Sequence, residues 1–288
     1  GCTCLTLHGR PLELLNHHLH PGRRLLILSH DGTTPGNIAG LLREAGFGPS
    51  HMTVLENMGG DDEARHDEAA DDWAAPNMQD LNTVAIQCIA GPDARIFPQV
   101  PGLPDDAFVH DGQMTKRIVR AATVAALAPL PGQTLWDLGA GCASVAIEWL
   151  RAAQDIQGQG ATAIAVEREA ARCALAAQNA ARLGTPFLDI VHDDTAQAIP
   201  ALADPDAVFI GGGLSGDGEL VSTVWERLRP GGRVVANVVT LEGERALLDA
   251  HTKYGGELTR IAVSHADPVG GLTGWRPSMP VTQWSVAK

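Results

Sequence analysis

Two glycines at alternate positions behind an acidic residue give the clearest chemical signal in the chain. Residues 135–148 read LWDLGAGCASVAIE, so an apolar pair leads into Asp137, and Gly139 and Gly141 follow before small residues that open an amphipathic helix. This pattern predicts a strand, a tight turn and a helix start. Glycine lets a ligand approach the backbone, and the N-terminus of a helix offers free N–H groups. Such turns bind nucleotides at the carboxyl ends of parallel strands.

The spacing of this turn leaves two nucleotides in competition. A nicotinamide dinucleotide favours G-x-G-x-x-G, and here Ser144 stands in place of the third glycine. Sites for S-adenosylmethionine resemble D-x-G-x-G-x-G, and here Ala143 stands in place of the last glycine. The turn alone therefore does not decide between them, and a purely structural glycine turn also remains open.

Residues downstream of the turn favour S-adenosylmethionine. Glu167 ends the next apolar run, where a carboxylate accepts both ribose hydroxyls of either nucleotide. The segment 206–213 reads DAVFIGGG, and the segment 228–235 reads LRPGGRVV. An acidic residue before three apolar residues and a glycine, followed by a Pro-Gly-Gly turn into a strand, is similar to the fourth and fifth strands of class I methyltransferases.

We therefore expect S-adenosylmethionine over the glycine turn, with its ribose on Glu167 and its adenine near Asp194 and Thr195. The residues expected to bind this cofactor are Thr115, Gly139, Ala140, Gly141, Cys142, Ala143, Glu167, Asp194 and Thr195. No metal site is expected, because no Cys or His spacing resembles a zinc site. The acidic stretch 61–72 is interpreted as a solvated helix face, and the cluster His17, His18 and His20 as a solvated helix end.

Composition narrows the class of partner. The chain has 288 residues, 44% of them hydrophobic, and a formal net charge of −13. Such a charge disfavours nucleic acid and anionic membranes, because both need a basic surface. No apolar run reaches the length of a membrane span, no signal-peptide pattern begins the chain, and the five cysteines form no CxxC pair, so a reducing cytoplasm is expected. Both a monomer and a homo-oligomer stay open.

A cluster of proline and glycine over residues 90–104 predicts the boundary between two domains. Before it we expect strands and one helix that is capped by Thr34, has Pro35 at its first position and runs to about Ala45. After it we expect a helix capped by Thr115 and a mostly parallel, doubly wound sheet with at least one antiparallel late strand. The expected strands are 25–28, 52–55 and 83–89 in the first domain and 257–264 and 280–286 at the end of the second.

Several short segments together resemble the precorrin-6Y C5,15-methyltransferase (decarboxylating) family of cobalamin biosynthesis. Residues 99–288 are similar to its C-terminal class I methyltransferase domain through GLPDDAF at 102–108, MTK at 114–116, the turn at 137–145, FIGGG at 209–213 and ANVVTLE at 236–242. Residues 1–98 are similar to the second half of its N-terminal tetrapyrrole methylase domain through LHGR at 7–10, DGTTP at 31–35, ENMGG at 56–60 and LNTVA at 81–85. The resemblance implies a Rossmann-like methyltransferase domain preceded by a partial tetrapyrrole methylase α/β domain.

The resemblance also implies a division of labour. The family's N-terminal domain methylates carbon 5 of the macrocycle, and its C-terminal domain methylates carbon 15 and removes the carboxylate of the ring C acetate. This chain lacks the front half of the N-terminal domain, with its glycine-rich loop, so residues 1–98 are expected not to bind cofactor. Ala143 stands where the family has glycine, and its methyl group is expected beside the amino-acid end of the cofactor.

The implied tetrapyrrole carries many carboxylates while the chain is acidic, so local cations are needed to hold it. The candidates are Lys116, Arg117, Arg120 and Arg276, although each is equally well explained as a solvated surface charge. Two other functions remain open: a class I methyltransferase acting on another small molecule, and a catalytically impaired remnant.

Overall fold

The computed structural model describes residues 1–74, 77–153, 160–214 and 218–288. The chain divides into two units. The N-terminal unit comprises Gly1–Gln99 with Ala181–Pro186, and the C-terminal unit is formed by the described parts of Val100–Ala153, Gly160–Ala180 and Phe187–Lys288. None of the helices in the described ranges combines the length and the hydropathy that a bilayer span requires.

The N-terminal unit is built on a five-stranded sheet. Its main elements are β1 (Cys2–Thr6), β2 (Arg24–Leu28), α1 (Thr34–Glu44), β3 (His51–Glu56), β4 (Ala64–Ala69) and β5 (Asn82–Gln87). The strand order is β1-β2-β5-β3-β4, with β1 parallel to β2 and the other neighbours antiparallel. The three predicted strands are confirmed as β2, β3 and β5. The predicted helix is also present, but Thr34 is its first residue and Thr33 occupies the N-cap position.

Two expectations for polar segments of this unit are wrong. The acidic stretch 61–72 contains strand β4 rather than a helix face. All six residues of β4 pair with β3, and the Asp67 carboxylate accepts a hydrogen bond from the Thr53 hydroxyl at 2.6 Å. His17 and His18 are buried rather than solvated. They lie at the end of a short 3₁₀ helix, Leu12–His17, and their rings contact each other edge to face. Charge content alone did not reveal either placement.

The C-terminal unit contains a seven-stranded sheet and a separate two-stranded hairpin. Its elements in the described residues are α2 (Arg117–Leu127), β6 (Thr134–Leu138), α3 (Ser144–Ala153), β7 (Thr162–Glu167), α4 (Ala170–Arg182), β8 (Asp189–His192), α5 (Thr195–Ala198), β9 (Ala207–Ile210), α6 (Glu219–Arg227), β10 (Arg233–Val238), α7 (Leu241–Tyr254), β11 (Glu257–Ile261), β12 (Ser264–Val269), β13 (Leu272–Pro277) and β14 (Val281–Ala287). Strands β12 and β13 form the hairpin.

The large sheet has the order β11-β14-β10-β9-β6-β7-β8. Strands β8, β7, β6, β9 and β10 run parallel, and β14 is antiparallel to both β10 and β11. The prediction of two late strands with at least one antiparallel is therefore confirmed. All four residues of β9 are buried, as are Trp136 and Leu138 of β6, which explains why these strands read as continuous apolar runs in the sequence.

Helix α2 begins later than the sequence predicts. Its N-cap residue is Lys116, which makes no side-chain capping bond, so Thr115 is not the cap. The Thr115 carbonyl instead accepts a hydrogen bond from Nη1 of Arg120 at 2.6 Å. Ile118 is exposed while Val119 is buried, so the apolar face of the helix is narrower than its composition suggests.

Candidate functional site

The chain order of the strands reverses between β6 and β9, and two glycine turns meet at that point. Gly139 follows β6 and Gly211 follows β9. The N–H of Gly211 donates a hydrogen bond to the Leu138 carbonyl at 3.0 Å. A Cβ atom on Gly139 would lie 3.1 Å from the backbone nitrogen of Gly212, so a side chain there would press on the neighbouring turn. Ligands of open α/β sheets bind at such reversal points, outside the carboxyl ends of the strands.

A cleft of about 1560 Å³ opens at this edge of the sheet. Pockets for single small molecules commonly measure roughly 300–1,000 Å³. The cleft is lined by the two glycine turns, by residues 112–119 and by residues from the last strands, including Ile261 and Val281. It therefore has room for a nucleotide and for a second, larger ligand beside it.

The glycine turn after β6 has an unusual backbone. Gly139, Gly141 and Ala143 all have positive φ, at 72°, 58° and 58°. Ala143 is fully buried and does not line the cleft, so the expectation that its methyl group lies beside the cofactor is wrong. Its departure from glycine acts on the backbone, because a left-handed conformation costs an L-residue about 1–2 kcal/mol. Cys142 is likewise buried beneath the turn, and burial raises the pKa of its thiol.

Glu167 lies at the end of β7, with its side chain at the cleft wall. One carboxylate oxygen accepts a hydrogen bond from the Gly141 N–H at 2.8 Å, and the other accepts one from the Glu169 N–H at 3.0 Å. Each oxygen has a second lone pair, so the carboxylate is held in place and retains acceptor capacity. Glu167 thus orders the glycine turn and offers the acceptor that ribose hydroxyls need.

Asp137 lies beneath the same turn and is almost completely buried. One of its oxygens accepts from the Ala146 N–H at 3.0 Å, and the other has no hydrogen-bond partner among the described residues. Burial, assisted by repulsion from Glu167, raises the pKa of Asp137 to about 7. Asp137 does not line the cleft, so it supports the start of α3 rather than contacting a ligand.

The predicted adenine residues also reach the cleft. Asp194 and Thr195 both line it, as do Gly139, Ala140, Gly141 and Thr115. The Asp194 side chain caps α5 by accepting from the Ala196 N–H at 2.9 Å, which fixes its position at the cleft edge. Of the nine residues predicted to bind cofactor, Cys142 and Ala143 alone do not line the cleft.

The four cations proposed for the substrate are placed in different surroundings. Lys116 and Arg117 are exposed and line the cleft. The Arg117 Nε also donates to the Gly102 carbonyl at 2.8 Å, so part of its guanidinium is engaged. Arg276 lies on the hairpin and does not line the cleft; it is 72% exposed and pairs with Asp267 at 3.4 Å. The structure therefore brings only Lys116 and Arg117 to the cleft.

Arg120 is wrong as a substrate-binding cation. Its side chain is completely buried and pairs with Glu148 of α3 at 2.7 Å. It also pairs with Asp105 at 3.1 Å and donates to the carbonyls of Leu103 and Thr115. Every guanidinium nitrogen has a protein partner, so Arg120 holds the segment 102–119 against α3.

Sequence reasoning missed two polar residues of the cleft, Asn237 and His265. Asn237 at the end of β10, His265 on β12 and Ser278 after β13 all line it, next to apolar residues such as Met279. Asn237 is oriented by bonds to Thr123 at 2.8 Å and to Gln283 at 2.9 Å. Asn237 could have been found as a polar residue at the carboxyl end of a strand, whereas no local pattern marks His265.

Within the described residues there is no group of three or more His, Cys, Asp or Glu side chains arranged to hold a metal ion.

Comparison with known proteins gives consistent relatives. A family model described as a precorrin methyltransferase domain matches residues 106–288. A Sinorhizobium protein named precorrin-6Y C(5,15)-methyltransferase (decarboxylating) is 46% identical over 286 residues, which cover 99% of this chain and 68% of that protein. The chain thus spans about two thirds of that relative's length.

Two further relatives each cover about two thirds of the chain. A Pyrobaculum aerophilum protein named as a probable cobalt-precorrin-6B C(15)-methyltransferase (decarboxylating) is 32% identical over 188 residues, covering 63% of this chain and 93% of that protein. The solved C-terminal domain of a precorrin-6Y C5,15-methyltransferase from Rhodobacter capsulatus has a TM-score of 0.61 at 44% identity, covering 67% of this chain and 100% of that domain.

Proposed function

Because the chain belongs to the family of decarboxylating precorrin methyltransferases, we propose that residues 99–288 transfer a methyl group from S-adenosylmethionine to carbon 15 of precorrin-6Y and remove the carboxylate of its ring C acetate. We further propose that residues 1–98 are the second half of a tetrapyrrole methylase domain and do not methylate carbon 5. The observation that carries the proposal is the glycine turn after β6, which lies where the strand order reverses and is held by the buried Glu167 carboxylate. The cleft at this point is large enough for two ligands.

The residues at the turn fit S-adenosylmethionine. A Cβ atom on Gly141 would meet only the Gln113 carbonyl oxygen within 4 Å, at an ordinary contact distance of 3.8 Å, so the backbone here is not crowded. In the proposed complex, Glu167 accepts the ribose hydroxyls, and Asp194 and Thr195 flank the adenine. Thr115, at the other wall, covers the cofactor. S-adenosylmethionine supplies an electrophilic methyl group, so the task of the chain is to orient donor and acceptor, which lowers barriers by ~7–11 kcal/mol in favourable cases.

The remainder of the cleft fits a large, flat, polycarboxylated molecule. Apolar residues such as Ile118, Val263 and Met279 supply surface for the macrocycle. Lys116 and Arg117 supply positive charge for its carboxylates, within a chain whose net charge is −13. Arg168 and Arg172 add positive charge to the same cleft, so its cations offset the four carboxylates that also line it.

Decarboxylation needs few protein groups. When the bond to the ring C carboxylate breaks, carbon dioxide leaves and the electron pair enters the conjugated macrocycle, which acts as the electron sink. The methylene carbon then takes a proton. His265, which lines the same cleft, is the described imidazole available there as its donor.

The geometry of the first helix supports the proposed silence of the N-terminal unit. The N–H groups of Thr33 and Thr34, which open α1, both donate to the Asp31 carboxylate, at 2.9 and 3.2 Å. The helix N-terminus is therefore occupied by the chain's own anion, and it does not present a glycine cradle like the one after β6.

Turnover tests the proposal against its alternatives. The chain is incubated with precorrin-6Y and S-adenosylmethionine, and S-adenosylhomocysteine and carbon dioxide are quantified together. We expect one equivalent of each per substrate molecule. Cofactor binding with neither product would indicate another small-molecule substrate, and absence of cofactor binding would indicate an impaired remnant.

A further inference from the structure

Asn179 is a fully buried side chain in the last turn of α4, and it makes three hydrogen bonds. Its Oδ1 accepts from the Val109 N–H at 2.8 Å. Its Nδ2 donates to the Val109 carbonyl at 2.9 Å and to the Cys142 carbonyl at 3.2 Å. Both amide hydrogens and the amide oxygen are thus used by backbone groups.

These backbone groups belong to opposite walls of the cleft. Cys142 lies in the turn whose glycines, Gly139 and Gly141, line the proposed cofactor site. Val109 lies in the segment 102–119, whose residues 112–119 form the facing wall. One side-chain amide therefore joins the turn beneath the cofactor to the segment that covers it.

The same helix face ties the segment a second time. Arg172 lies two helical turns before Asn179 and so projects on the same side of α4. Its Nε donates to the Asp111 carboxylate at 2.8 Å, and its Nη2 donates to the Gln113 side-chain oxygen at 3.0 Å. These bonds hold residues 109–113 against α4, at the point where the segment reaches the cleft.

We propose that Asn179 is a positioning residue that sets the spacing between the glycine turn and the segment 102–119, and through this spacing the affinity for S-adenosylmethionine. The inference rests on the proposed function, because it assumes that the turn binds this cofactor. A site whose two walls are ordered before binding loses less conformational entropy when the ligand arrives. Asn179 does not line the cleft, so replacing it should change the Kd and the KM for S-adenosylmethionine and leave kcat nearly unchanged.

The Asn179→Asp variant tests this role with almost no change in shape. Its carboxylate keeps the acceptor for the Val109 N–H but removes both donors and places charge against two carbonyls. Asn82→Asp is the matched control, because Asn82 is also buried and its amide also makes three hydrogen bonds, all within the N-terminal unit. Calorimetric titration with S-adenosylmethionine and urea unfolding are measured for both variants.

We expect the Kd for S-adenosylmethionine to rise roughly ten-fold or more in the Asn179→Asp variant, the factor associated with one lost buried hydrogen bond, and to stay unchanged in Asn82→Asp. An unchanged Kd in both folded variants would overturn the inference while leaving the proposed function intact. Failure of the wild-type chain to bind the cofactor would instead contradict the proposed function, and the inference with it.

Hydrogen exchange of the wild-type chain provides a second test that does not depend on the variant folding. Cofactor binding should slow exchange of the Val109 N–H together with N–H groups of residues 140–144, although Val109 does not line the cleft. Slower exchange in the turn with no change at Val109 would overturn the inference.

Discussion

At the scale of single residues, two neighbouring carboxylates of the C-terminal unit are treated in opposite ways. Glu167 receives backbone N–H bonds on both oxygens and stays at the cleft wall. Asp137 is buried beneath it, with one bonded oxygen and one without a partner among the described residues. The first arrangement fixes a hydrogen-bond acceptor at the cleft wall, and in the second, burial raises the pKa of the Asp137 carboxyl. We therefore expect a substitution of Glu167 to change ligand binding and a substitution of Asp137 to change the pH dependence of stability.

Replacing Glu167 with glutamine should weaken cofactor binding. Glu167→Gln removes the charge that strengthens bonds from the ribose hydroxyls, at a cost of about 1.5–3 kcal/mol, or roughly 10- to 100-fold in Kd. The matched control is Glu169→Gln, which neutralises an adjacent carboxylate that does not line the cleft. Titration calorimetry showing equal affinities for the two variants would remove Glu167 from the site.

Asp137 should impose a pH dependence on stability. Its pKa in the folded chain is about 7, against an ordinary value of 3.8, so between these values the folded state holds a proton that the unfolded state has released. The free energy of unfolding should therefore fall as pH rises through this window and level off above it. Asp137→Asn should flatten this slope in urea titrations at several pH values. Identical slopes in the variant and the wild type would show that Asp137 is not the group responsible.

Ala143→Gly should relieve backbone strain without changing the ligand site. Glycine adopts the φ of 58° found here without the clash of a Cβ, although it gains entropy in the unfolded chain. We expect the free energy of unfolding to rise by up to about 1 kcal/mol, because the left-handed penalty exceeds that entropy. Cofactor Kd should stay constant. A Kd that tightens in the variant would restore the expectation that the methyl group meets the cofactor.

At the scale of elements, the C-terminal unit holds one irregular segment against two helices. Residues 102–119 are fixed to α3 through Glu148, whose carboxylate accepts from the N–H groups of Gly102 and Leu103, and to α4 through Asn179. Glu148 also pairs with Arg120, whose side chain has no exposed surface. Most of this segment precedes α2, which begins at Arg117, and buried polar contacts hold it in place.

Breaking the buried pair should be costly, and removing both partners less so. Arg120→Met removes the guanidinium that pairs with the buried Glu148 carboxylate, and breaking such a pair costs about 3–5 kcal/mol. In the double variant with Glu148→Gln that charge is gone, so its destabilisation should be smaller than the sum of the single variants. A double-mutant cycle by urea unfolding measures the difference. Additive effects would mean that the two side chains do not interact.

At the scale of the whole molecule, local sequence signals predicted the parallel sheet and the glycine turn after β6. Strands β6, β7 and β9 are short apolar runs, with a glycine directly after β6 and β9 and Glu167 at the end of β7, and such local signals survive folding because these strands are largely buried. Long-range partners were not readable in the same way. Arg120 was expected to face a ligand, because nothing near it in sequence reveals Glu148 on the next helix.

The predictions for the acidic stretch 61–72 and for His17 and His18 were wrong for the same physical reason. Strand β4 exists because β3 pairs with it, and the burial of His17 and His18 depends on neighbours outside their own segment. Composition describes what a segment prefers in isolation, whereas tertiary pairing decides these cases. His265 was missed because residues from separate strands meet around it only in the folded unit.

The position and number of methyl groups added to precorrin-6Y test the central claim most directly. The chain is incubated with precorrin-6Y and S-adenosylmethionine carrying a ¹³C-labelled methyl group, and the product is examined by carbon NMR and mass spectrometry. The account predicts a single labelled methyl group at carbon 15 and a methyl group in place of the ring C acetate. A labelled methyl group at carbon 5, or a product that retains the acetate carboxylate, would contradict it.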